Sequence, residues 1–141
     1  MRCAWMALLL LALDWDGLAS AQERKFSADM NFEELIDDLV ICSVYFDIVH
    51  DALTQTPGTD DEIISSYDNI SSDFLQYALV TAMTTGREED LAIKVIRSKF
   101  AVFESGMLEE IQYRNENLSI LTAEHSQPCI DLNNNIREIG N

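Results

Sequence analysis

From Asn31 onward the apolar residues of this chain recur at spacings of three and four, and few prolines or glycines interrupt them. Phe32, Leu35, Ile36, Leu39, Ser43, Phe46, Val49 and Leu53 trace one stripe of an amphipathic helix. Asn31 is placed to cap it, and Glu34 three positions on completes a capping-box pattern. Thr56-Pro57-Gly58 ends it. With only two prolines and five glycines in 141 residues, the chain lacks the turn-formers that a many-stranded β fold needs.

A second helix opens at Thr59, followed by Asp60, Asp61 and Glu62, a cap and an acidic first turn. Its stripe is Ile63, Tyr67, Ile70, Phe74, Tyr77, Ala78 and Thr81, and Thr85-Gly86 stops it. The third starts with Glu88, Glu89 and Asp90 and runs through Ile96, Phe100, Phe103, Met107 and Ile111 towards Asn115. Gly106 interrupts it, which marks either a close helix contact or a break. Two shorter helices are expected in the tail. Asn117 would cap the first, Ser126-Gln127-Pro128 would separate the two, and the second would run from Pro128 to Ile139 with Gly140 behind it. The expected fold is all-α: a small antiparallel bundle of three long and two short helices.

Residues 1–21 read as an address. Arg2 precedes an apolar run from Cys3 to Leu13, and Ala19-Ser20-Ala21 forms a small-x-small site that places cleavage between Ala21 and Gln22. The run is too short to span a bilayer. The expectation is a cleaved signal peptide, a single domain over residues 22–141, and a periplasmic or extracellular location. Cleavage removes Cys3 and leaves Cys42 and Cys129. An even pair in an exported chain implies one disulfide, here fastening the last helix to the middle of the first. Closing so long a loop is worth about 4–5 kcal/mol in the chain-entropy account.

Charge narrows the partners. Twenty-five acidic residues stand against nine basic ones, for a net charge of −16, so the chain lacks the cationic surplus that binds phosphate backbones or anionic membranes. A hydrophobic content of 48% is too high for a disordered chain, so the acidity belongs to a folded surface. Glu33, Glu34, Asp37 and Asp38, with Asp60, Asp61 and Glu62, exceed what two helix dipoles require and form a candidate acidic face for a partner with a basic surface. Arg87, Lys94, Arg97 and Lys99 give helix three a basic edge, a seam for a partner or for the acidic start of helix one.

The motifs of catalysis and cofactor binding do not come together. His50 and His125 fall in no metal-ligand pattern, and no glycine-rich phosphate loop or nucleophile elbow occurs. Ser65-Ser66 and Ser71-Ser72 pair hydroxyls without a neighbouring base, and Asn69-Ile70-Ser71 and Asn117-Leu118-Ser119 match a glycosylation triplet that is common by chance. No cofactor or metal is expected. The sequence thus points to a non-catalytic exported protein that acts by binding another protein, in the manner of small inhibitors, immunity proteins or chaperones. Two other readings stand beside it. One is a carrier holding a small apolar ligand among Phe46, Phe74, Tyr77, Phe100 and Phe103. The other is an enzyme with a reactive Cys129, whose thiol would be acidified by a helix N-terminus if it were free. Export should yield a mature chain beginning at Gln22, which intact-mass measurement of the secreted protein will read; a retained leader would refute it.

Overall fold

A computed structural model describes residues 31–139, so the expected leader and cleavage site and Gly140 lie outside the described residues. Those residues form four α-helices and no strand: α1 (Phe32–Thr54), α2 (Asp61–Thr84), α3 (Glu89–Glu110) and α4 (Leu118–Ile139), with a 3-10 turn at Asn115–Asn117 before α4. None of these helices is long and apolar enough to cross a membrane.

The helix starts follow from side-chain chemistry. The Asn31 carboxamide oxygen accepts from the Glu33 amide at 3.1 Å, and an Asp60 carboxylate oxygen accepts from the Glu62 amide at 2.8 Å. The cap of α2 is therefore Asp60 rather than Thr59, whose hydroxyl instead donates to the Thr56 carbonyl. Gly86, at φ +89°, supplies the left-handed step after α2 that a residue with a Cβ adopts only at a cost.

Helix α1 is the centre of the molecule. It carries eleven buried residues, among them Val40, Val44, Tyr45 and Ile48, which lie outside the single stripe read from the sequence. The other three helices all pack on it. A helix wrapped on several sides needs apolar residues around most of its circumference, and α1 has them. Phe32, counted in the stripe, is half exposed at the open end of the helix.

The α1/α2 crossing is narrow. The Ser43 hydroxyl donates to the Ser71 carbonyl at 2.9 Å, and the Ser71 hydroxyl donates to the Ser43 carbonyl at 3.0 Å. Both serines are buried, and this exchange satisfies them without water. Ala78 and Ala82, fully buried on α2, keep the rest of the seam close, while Phe46 stacks on Phe74 at 5.9 Å. Ser71 belongs to one glycosylation triplet, and in the other the Asn117 amide, directly before α4, donates to the Ile111 carbonyl.

The tail differs from expectation. One helix, α4, runs straight through Pro128 where two short helices were anticipated. The missing Pro128 amide would have served the carbonyl of Glu124, and both residues are exposed, so the lost bond falls on the solvent side of the helix. The stripe Leu118, Leu121, Cys129, Leu132 and Ile136 stays in helical phase across the proline and packs on the core. Cys129 is bonded to Cys42 of α1, with sulfurs 2.06 Å apart and a sequence separation of 87. Burial of this stripe and the covalent tie offset the roughly 3 kcal/mol that an interior proline costs.

Helix α3 stops at Glu110, short of Asn115, where Gln112 and Tyr113 both take left-handed φ of 55° and the Tyr113 amide returns to the Leu108 carbonyl at 2.8 Å. It passes unbroken through Gly106, and a Cβ built there meets nothing within 4 Å. The glycine thus marks neither a break nor a close contact. Gly106→Ala should raise the unfolding free energy by about 1 kcal/mol, read as a higher urea midpoint at unchanged slope.

Candidate functional site

The proposed acidic face divides in two. Because α1 and α2 are antiparallel, with Ser43 opposite Ser71 and Glu33 beside Arg87, their N-termini lie at opposite ends of the hairpin. Glu33, Glu34, Asp37 and Asp38 crowd one end and Asp60, Asp61 and Glu62 the other, separated by roughly the 1.5 Å per residue that a helix of this length spans. Acid runs that each complement a dipole are bound to separate when consecutive helices reverse direction.

Part of the first cluster is used internally. Arg87 pairs with Glu33, and Lys99 of α3 pairs with Asp37. The basic edge of helix three is therefore, at these two positions, a seam for the acidic start of α1. Both pairs are partly solvated and hold the helix ends in register more than they stabilise the fold. Arg97 and Lys94, among the described residues, form no ion pair. Asp38 keeps its carboxyl above the usual aspartate range, first through desolvation and then through the charges of Glu34 and Asp37.

A second acidic group went unnoticed in the sequence. Asp47, partly buried on α1, has its carboxyl pushed up by desolvation, then by Asp51 and by Glu104 of α3, with Asp68 of α2 adding to the effect and His50 opposing it. Its members come from three helices, so no spacing rule along the chain could have found it. His50 meets the Asp51 carboxylate at 3.4 Å.

The aromatic residues suggested for a ligand cavity are spread over the core and the surface. Phe46 and Phe74 stack inside the core, Phe100 and Phe103 are half-buried on α3, and Tyr77 is exposed. Of the five, Phe100 borders a groove of about 420 Å³ between α2 and α3. Leu75, Leu79, Ile93, Ile96 and Phe100 wall it, with Gln76 and Arg97 at its sides. On α2, exposed Val80 and Met83 continue the apolar surface at helical spacing from Gln76 and Leu79.

Cys129 lies in the middle of α4, 1% exposed and bonded to Cys42, rather than at a helix N-terminus. The feature that would have acidified its thiol is therefore missing. Elsewhere on α4, His125 packs its ring against Tyr45 at 6.0 Å, and a ligand atom each from Glu110, Glu124 and His125 lie within 4.8 Å of one another. No protein-family model, curated protein or solved structure matches this chain.

The Asp47 carboxyl carries a stability prediction. With its folded pKa raised above 3.8, its contribution is most favourable below that value and is lost as pH rises through the folded pKa. Asp47→Asn should therefore raise the thermal midpoint at neutral pH, with the gain disappearing as the pH falls below the aspartate range. Midpoints measured by circular dichroism from acid to neutral pH will show it.

Proposed function

We propose that this protein is an exported, non-catalytic binding protein, and that the groove between α2 and α3 receives an apolar segment of a protein partner whose own surface is basic. The groove is the observation that carries the reading. Single exposed apolar residues are ordinary on any surface, whereas a contiguous apolar trough flanked by polar groups is what contact sites are made of. Its two parallel walls, one from each helix, suit a helix or extended segment that inserts side chains at regular spacing.

The net charge of −16 supports the choice of partner, because a strongly acidic body draws a basic one and speeds their encounter at low salt. Glu34 and Asp38, which form no ion pair among the described residues, are better placed for this than Glu33 and Asp37, already engaged with Arg87 and Lys99. The absence of catalysis is supported by the state of two nucleophiles. Ser71 is bonded within the core to Ser43, and Cys129 is held in the disulfide.

One observation favours a second reading. A volume of about 420 Å³ falls within the range of small-molecule sites, so the same groove suits a small apolar ligand. Salt separates the two: association with a basic protein slows as ionic strength rises, whereas uptake of a neutral apolar molecule does not. Both readings require the groove to take up apolar groups. A neutral fluorescent probe such as N-phenylnaphthylamine should bind saturably, and Leu79→Asp should weaken that binding tenfold or more, since desolvating a carboxylate exceeds the ~1.4 kcal/mol that a factor of ten represents. Unchanged far-ultraviolet circular dichroism would show the variant folded. A wild-type chain that takes up no probe would refute the groove as the contact surface.

A further inference from the structure

We infer that Glu110, Glu124 and His125 form a binding site for a divalent transition-metal ion, zinc being the best fit, that ties the end of α3 to α4. The donor set is two carboxylates and one imidazole, drawn from two helices, with one ligand atom from each lying within 4.8 Å of the others. Zinc takes imidazole nitrogen and carboxylate oxygen at about 2.0–2.2 Å, so small side-chain rotations bring the three donors onto one ion and leave a fourth position for water. A mixed nitrogen and oxygen set favours zinc over calcium or magnesium, which prefer oxygen alone.

The backbone beneath these side chains is fixed. Leu121, fully buried, lies four residues before His125, and Cys129, covalently tied to α1, lies four residues after it. His125 is half-buried with its ring tilted against Tyr45, which limits how the imidazole can turn. On the other side, Glu110 is the last residue of α3 and is followed by Ile111, 1% exposed. Each donor therefore extends from an anchored turn, the arrangement that makes a metal site pre-organised.

The local charge points the same way. Glu110 and Glu124 bring two carboxylates together, and among the described residues neither forms an ion pair with a lysine or arginine. A bound cation would therefore meet two carboxylates not committed to another positive side chain. Helices α3 and α4 make little direct contact with each other, so a bridging ion would supply a link that side-chain packing does not. Nothing along the chain announced this site, because Glu110 lies 14 residues before the adjacent Glu124 and His125, across a turn, and the three match no helical ligand spacing.

Calorimetric titration of zinc chloride into the oxidised protein, in a non-chelating buffer, tests the inference. One zinc ion should bind per chain, and the thermal midpoint should rise with it, because the ion favours only the folded state. Glu110→Gln and His125→Ala should each weaken binding by at least the roughly tenfold that loss of even an outer-shell partner costs. His50→Ala should leave it unchanged. Glu110 is exposed, so its amide variant tests ligation without touching the Tyr45 contact. Absence of one-to-one binding overturns the site, as does wild-type affinity in Glu110→Gln, or loss of binding in His50→Ala with retention in His125→Ala.

Discussion

The structure depends on the burial of α1 on several of its sides at once. Helices α2, α3 and α4 each cover part of it, and its apolar residues are distributed accordingly. Everything else in the bundle is a solution to packing around that one cylinder. Alanines at 78, 82 and 92 let the neighbours approach, the Ser43–Ser71 exchange satisfies the only buried polar side chains among the described residues, and Cys42 offers the covalent anchor for α4. Because α2 and α3 turn their inner faces to α1, their flanks are left to meet each other only partly. The groove walled by Leu79 and Phe100 is the geometric remainder of that arrangement.

Much of the helical order was legible along the chain, for local reasons. Asn31 and the acids around Asp60 announce helix starts because capping is decided within a few residues, and Gly86 announces an end because the left-handed step needs its missing Cβ. The pairing of Cys42 with Cys129 was legible by elimination on the expectation that residues 1–21, with Cys3, are removed. What could not be read locally was set by tertiary context. Pro128 looks like a helix breaker until the stripe from Leu118 to Ile136 is seen to hold its phase across it, with the unpaired carbonyl on the solvent side. The breadth of the α1 core was underestimated because Val40, Val44 and Ile48 lie outside a one-sided stripe, and only a helix with partners on several sides buries them.

The candidate site shows the same division. The acid runs stand out along the chain, but whether they form one surface is a question of topology, and antiparallel packing sends the Asp37 and Asp61 clusters to opposite ends. Composition reports how much charge a chain carries and says nothing of where a fold spends it. Here some is spent inside the molecule, on Arg87 and Lys99, and some is concentrated around Asp47 by residues that α2 and α3 bring in. The groove and the Glu110–Glu124–His125 cluster had no signature because each is assembled from two helices.

The position of α1 in the chain order has a consequence for how this protein comes into being. The helix that the others cover is the first of the four to be synthesised, and the one that fastens the bundle is the last. A nascent chain therefore presents this helix before any of the three that cover it exists. The α1/α2 hairpin, whose contacts are near in sequence, is the natural first refuge, and the Cys42 thiol must stay unpaired until 87 further residues have followed. During that interval neither the Cys42 thiol nor the apolar surface of α1 has its final neighbours. Synthesis order thus leaves the covalent tie as the last link to close, although the finished fold keeps both sulfurs at its centre.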